Sequence, residues 1–318
     1  RLFLPWVAAS VVVMVEISAF LLLNRESEVV NLPVAEKIEP GKAIVTLEMA
    51  SGIKYRLDTL SSVLHNNRAN VAFDNNEGVL KVKEQNSIDR LQQEVGYNTI
   101  NVPYGGTYTV ELCDGTKVYL NSGTRLEFPS RFDGDMRSVS LKGEAYFEVA
   151  KNPEKKFIVS TSHQSQIEVL GTHFNVEAYE KEDRISATLV EGKIGFIYKS
   201  NDVSKKVLMD PGQKLVYDSK DNKVQLYATS GESEIAWKEG KIIFRNTPLE
   251  EGLRMLEKRY NVEFIIKNDR LKGDSFTGTF TNQRLERILE YFQLSSQIRW
   301  RYLDSPDMKD EKSKIEIY

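Results

Sequence analysis

Apolar and polar positions follow three successive patterns along this chain. Leu2–Leu23 is a run of 22 residues with one charge, Glu16. As a helix rising about 1.5 Å per residue it would span about 33 Å, against a bilayer hydrocarbon core of about 30 Å. The pattern predicts a membrane-spanning helix over residues 1–24. A cleavable leader has a shorter apolar core and a small-residue cleavage site, and neither is evident here. Residues 25–40, polar and holding Pro33 and Pro40, read as a juxtamembrane linker.

From residue 41 to about 236 the apolar positions alternate over short stretches broken by turn pairs. Thr109–Leu120 (TVELCDGTKVYL) is the clearest case. Alternation on either side of Asp114-Gly115 is a strong short-range hairpin signal. Further strands are expected at 138–141, 145–149, 157–161, 166–170, 175–179, 186–190, 193–198, 214–217 and 223–227. Strands this closely spaced predict a mainly-β domain over 41–236, either a sandwich or a solenoid-like stack. Two short repeats share this cadence. Gly52–Leu57 matches Gly115–Leu120, and Glu191–Phe196 matches Glu239–Phe244.

Near residue 237 the period lengthens to 3.6. Thr247-Pro248-Leu249-Glu250 reads as a helix start, with Thr247 as cap and Glu250 completing a capping box. Leu249, Leu253, Leu256 and Tyr260 form one apolar face. Val262–Ile266 and Phe276–Phe280 read as strands. Leu285, Ile288, Leu289 and Phe292 mark a second helix, with Asn282 as its cap. Ile298–Tyr302 is a strand, and Ile315–Tyr318 closes as an edge strand. Residues 237–318 thus read as a small α+β module of order β-α-β-β-α-β.

Composition removes several functions. The 43 basic and 46 acidic residues give a net charge of −3, without the concentrated basic patch a nucleic-acid surface needs. Cys113 is the single cysteine, which rules out an intramolecular disulfide. His65, His163 and His173 lie far apart and outside metal-ligand spacing, so no metal or cofactor is expected. Glu144 and Glu148 share one strand face about 13 Å apart, too far for paired glycosidase carboxylates; solvent-facing edge residues account for them. Gly105-Gly106 reads as a bend. Trp237 and Trp300, with Tyr302, read as core aromatics in apolar strands, the rival reading being a sugar platform. Glu16 is either a polar handle for a partner helix or intramembrane protease, or a carboxyl that the bilayer tolerates. One basic residue flanks the run on each side, Arg1 and Arg25, so charge leaves its orientation open.

Four motifs carry a resemblance. Tyr104–Ser122 (YGGTYTVELCDGTKVYLNS), Gly143–Val149 (GEAYFEV), Val169–Val176 (VLGTHFNV) and Thr188–Lys193 (TLVEGK) occur in the order of the FecR family. The match runs over roughly 40–230. The C-terminal module is similar to the short N-terminal domain of secretins and TonB-dependent receptors. The resemblance implies a single-pass inner-membrane anti-sigma factor or sigma regulator without catalytic turnover, with residues 25–318 in the periplasm. The implied partners are the signalling domain of an outer-membrane TonB-dependent receptor and a cytoplasmic extracytoplasmic-function sigma factor, controlling uptake of glycans or ferric siderophores. Residues 1–318 do not include the sigma-binding domain that the resemblance implies, so the implied sigma contact is expected of residues upstream of Arg1. Some relatives cleave themselves at a Gly-Thr bond by acyl shift to the threonine hydroxyl, and Gly171-Thr172 matches that bond. A membrane-anchored structural or carbohydrate-binding envelope protein is the alternative reading.

Overall fold

The computed structural model describes residues 44–58, 63–66, 71–76, 78–84, 95–200, 202–296, 298–303 and 312–318. The apolar run with Glu16 and the 25–40 linker lie outside them. Among the described residues, no helix is long and apolar enough to cross a membrane.

Alternation produces two sheets. One runs, in spatial order, Lys54–Arg56, Thr46–Glu48, Tyr97–Val102, Thr124–Pro129, Met136–Lys142, Lys156–Ser160, Gln166–Val169, Ile194–Ser200 and Val203–Met209. The other runs Val63–Asn66, Val71–Asn76, Val79–Glu84, Tyr108–Glu111, Lys117–Leu120, Gly143–Glu148, His173–Ala178, Arg184–Glu191, Gln213–Asp218 and Lys223–Ala228. Inward-facing residues of both sheets form one hydrophobic core. Its aromatic contacts cross the layers. Phe147 lies 6.2 Å from Phe157 of the other sheet, and Phe196 lies 6.0 Å from Tyr217. Of the two architectures expected, the facing sheets form a sandwich.

Two predicted strands, 138–141 and 145–149, are one 13-residue strand, Met136–Glu148, which passes from the first sheet to the second. The crossing point is Gly143. Its φ is +116°, and a Cβ there would sit 2.6 Å from Thr124 Oγ1. A bend of this kind excludes a side chain, yet the alternation runs through it in one phase, with Val139, Leu141, Ala145 and Phe147 all facing the core. The Asp114-Gly115 hairpin is as expected, with Leu112 N donating to Thr116 O (2.8 Å) and Gly115 N to Leu112 O (2.9 Å). Gly52 repeats that turn, donating to Met49 O at 2.8 Å with a φ of +81°. The sequence repeat therefore reflects a shared strand–turn–strand unit.

The C-terminal module keeps the expected element order but divides into two small sheets. Lys241–Pro248 pairs with Ser275–Thr281, and Val262–Ile266, Ser313–Ile317 and Trp300–Leu303 form a three-stranded sheet in that order. Ser313–Ile317 is thus the central strand, not an edge; its neighbours run parallel on one side and antiparallel on the other. Helices α1 (Leu249–Tyr260) and α2 (Leu285–Ser295) bury the predicted faces against a second core, which includes Phe244, Phe276 and Phe292. The predicted caps are absent. The strand Lys241–Pro248 continues to the first residue before α1, so Pro248 takes the cap position and Thr247 Oγ1 accepts from Arg245 N. Leu249 N is instead satisfied by Asp274 O at 2.9 Å. Arg284, not Asn282, precedes α2, and no side chain caps it. Asn282 takes a left-handed φ of 54° in the preceding turn.

Candidate functional site

The β domain and the α+β module belong to one compact unit. They meet on the outer face of the second sheet. Register decides which side chains gather there. In the antiparallel ladder Tyr146 lies opposite both Tyr119 and Asn175, and Glu144 lies directly opposite Glu177. Like charges directly opposed across a ladder repel. Lys258 of the module offsets the repulsion.

Lys258, in the last turn of α1, reaches Glu177 Oε1 at 2.8 Å and Glu182 Oε1 at 3.1 Å. Its ammonium stands 3.6 Å from the centre of the Tyr179 ring, and its side chain is only 13% exposed. Lys238 lies 3.4 Å from Glu148 Oε1, over the rings of Tyr146 and Tyr119 at 4.2 and 4.8 Å. Between the lysines, Trp237 Nε1 donates to Asn175 Oδ1 at 3.3 Å, while Asn175 Nδ2 and Asn121 Nδ2 donate to the two carboxylate oxygens of Glu144 at 3.0 and 2.8 Å. The Gly105-Gly106 bend joins in through its backbone, with Gly105 N donating to Lys258 O at 2.8 Å. A polar cleft of roughly 1260 Å³ lies along this seam.

The environment splits the carboxylates. Burial, then the charge of Glu177, pushes the Glu144 carboxyl up to about 7, although Lys258 and the two amides pull the other way. Burial opposes the charge of Glu177 as well, but Lys258 holds it below the ordinary carboxylate range. Lys258 is pushed up to about 12, because Glu177, Glu182 and Glu144 outweigh the cost of burying it. The raised Glu144 contributes stability that is complete below its ordinary value of 4.5 and is lost as pH rises through about 7. Glu177 has the opposite sign: its contribution is present above 4.5 and is lost as pH falls through its depressed value. Thermal unfolding should therefore show Glu144's contribution falling between about pH 4.5 and pH 7, and Glu144→Gln should flatten that slope.

The structure revises several sequence expectations here. Glu144 and Glu148 do share a face, yet they lie on an interior strand of the sheet, covered by the module, rather than on a solvent-facing edge. Trp237 sits in a short 3-10 turn, Ala236–Glu239, not in a strand. Trp300 begins the Trp300–Leu303 strand and packs against the second core, 5.8 Å from Tyr302. Cys113 lies in the hairpin turn, partly buried against the β core. His163 and His173 bond separately, to Glu182 O (3.1 Å) and Glu191 Oε2 (3.3 Å), and the side chain of His65 is outside the described set. Among the described residues, no cluster of three His, Cys, Asp or Glu side chains is placed to hold a metal. Lys258 and its acidic partners went unrecognised in the sequence. The available signal was complementary charge, Arg254 and Lys258 four residues apart on one helix face and Glu177 and Glu182 in the β domain.

Gly171-Thr172 enters the His173–Ala178 strand. Thr172 is buried; its hydroxyl donates to Lys193 O at 3.1 Å, and its carbonyl accepts from Val149 N at 3.1 Å. The left-handed glycine beside this bond is Gly192, at φ +95°, rather than Gly171. A Cβ on Gly192 would come within 2.7 Å of Thr172 Oγ1 and 3.0 Å of Gly171 O, so glycine there gives the bond its space.

Two family models match the chain, FecR protein over residues 98–195 and FecR, C-terminal over 241–306. No curated protein shows significant similarity. Two crystal structures of a candidate anti-sigma factor from Parabacteroides distasonis ATCC 8503 resemble it. One is 30% identical, with a TM-score of 0.60, covering 69% of this chain and 98% of its own. The other is 29% identical, also at 0.60, covering 70% and 98%. With both models in sequence order and a relative matched over nearly its whole length, the chain belongs to the FecR family of anti-sigma factors.

Proposed function

We propose that this protein relays the state of an outer-membrane TonB-dependent receptor to a cytoplasmic sigma factor of the extracytoplasmic-function class, governing genes for glycan or ferric-siderophore uptake. In this reading Leu2–Leu23 anchors the chain in the inner membrane and residues 25–318 lie in the periplasm. The relay acts by conformation, without catalytic turnover. Family membership supports the sigma-regulating role. The receptor arm rests mainly on the module's Ser275–Thr281 strand, which pairs only with Lys241–Pro248 among the described strands. An open strand edge is a template for an incoming strand. Beside it α2 exposes Tyr291 and Leu294, at 44% and 84%, and large exposed apolar side chains next to such an edge favour a protein partner. Ile315–Tyr318, expected from the sequence to close the module as an edge strand, offers no such edge because Ser313–Ile317 is central in its sheet.

The test is binding of residues 25–318 to the signalling domains of TonB-dependent receptors from the same genome. Capture of one such domain supports the reading, and failure of all of them removes the receptor arm. Gly171-Thr172 is the self-cleavage candidate. Partial cleavage in the wild type, abolished by Thr172→Ala, is the expected pattern on a denaturing gel. Intact chain for both removes cleavage from the account.

A further inference from the structure

The contact between the β domain and the module differs in kind from the interior of either. The two hydrophobic cores share no residue. The described side-chain links across the seam are polar or cationic. Lys258 meets Glu177 and Glu182, Lys238 meets Glu148 over two tyrosine rings, and Trp237 meets Asn175. Lys312 adds a cation–π contact 3.7 Å from the Tyr104 ring. The cleft beside these links leaves the seam incompletely packed. Polar domain interfaces of this type open more readily than apolar ones, and local opening concentrates where apolar contacts are fewest.

We infer that the α+β module is a releasable cap on the β domain, held closed by Lys258 seated between Glu177 and Glu182, so that the protein has a closed and an open arrangement of two intact domains. Lys258 is the central pin because it is the more deeply buried of the two lysine latches and its own carbonyl also holds Gly105 N. Closing covers Glu144, Tyr146 and Asn175, and opening presents them together. Opening needs no rupture of either core, since the links to be broken are side-chain contacts and the Gly105 N to Lys258 O bond. A partner that draws the module away would thus change the β domain's exposed face without unfolding it. This inference stands apart from the receptor reading, and its test contains no receptor.

The test is a distance measurement between spin labels at two exposed positions, Lys199 in the β domain and Arg270 in the module, each changed to cysteine in a Cys113→Ala background. The otherwise unaltered chain is expected to give one narrow distance. Lys258→Glu should raise the population of a second, longer distance about tenfold or more, from a minor state of the usual few per cent. Lys258→Arg, which keeps the charge, should stay narrow. Raising salt from about 0.1 M to about 1 M shortens the screening length from about 10 Å to about 3 Å and should favour the longer distance in the unaltered pair. The salt series also decides the matter if Lys258→Glu fails to fold. A single unchanged distance for the folded variants and at both salt levels would overturn the inference. So would equal broadening by Lys258→Arg and Lys258→Glu, which would make shape rather than charge the latch.

Discussion

Replacing Arg137 with alanine is expected to cost the β domain about 3–5 kcal/mol, the usual penalty for removing one partner of a buried, hydrogen-bonded ion pair. Arg137 is 2% exposed and lies in the first half of the long crossing strand. Its Nη1 meets Asp114 Oδ2 at 2.8 Å and also donates to Ala150 O at 2.8 Å, while Nε donates to Lys155 O at 3.0 Å. The guanidinium also lies 5.4 Å from the centre of the Phe157 ring. One side chain thus ties the Asp114-Gly115 turn to the segment that follows the crossing strand. Alanine would leave Asp114 without its cation and two carbonyls without a donor. Lysine should recover little, because a single ammonium cannot reproduce the fork. Urea denaturation of residues 25–318, followed by a β-sensitive signal, measures the loss. A cost below about 1 kcal/mol would show that Asp114 is held adequately by Thr116, whose Oγ1 donates to it at 2.8 Å.

The second large effect is expected at Phe147. It is fully buried, stacks on Phe174 at 5.1 Å with planes 12° apart, and meets Phe157 at 6.2 Å. These contacts join the second sheet to itself and to the first. Phe147→Ala removes the ring that both neighbours pack on, in a site where facing strands restrict collapse. The expected cost is about 3–5 kcal/mol, through lost transfer energy and the cavity left behind. Phe147→Leu should cost less because it fills most of the volume. The module's separate core should be spared, so loss of β-domain stability with retained module signal is the pattern to look for. Equal loss in both would show the two cores to be coupled despite sharing no residue.

Much of the fold was legible because strand burial repeats every two residues and helix burial every 3.6. The Thr109–Leu120 hairpin, the strands from 156 to 200 and from 213 to 228, and both helix faces follow from that periodicity alone. Val203–Met209 was not legible: VSKKVLM lacks alternation, and its exposed positions run together at the sheet's edge. Helix starts were misplaced because tertiary pairing extended Lys241–Pro248 through the expected cap. The candidate site was the least legible part. Glu144 looks like a surface residue in its local pattern, and what buries it lies at Trp237 and Lys258, about 90 and 110 positions later in the chain. Its opposition to Glu177 depends on strand register, which no local pattern displays. The motif-level resemblance, in contrast, was fully readable, because it rests on residue identity along short segments.

The seam gives the family role a physical form, since a sigma regulator acting by conformation needs an element with two arrangements. The most direct measurement of that role is transcription from a promoter of the cognate sigma factor, in cells carrying the intact gene, a deletion of it, or an allele lacking residues 241–318. The account predicts that transcription depends on receptor stimulation with the intact gene, loses that dependence in the deletion, and is uncoupled from the receptor when the module is removed. Normal receptor-dependent transcription in the deletion strain would contradict it.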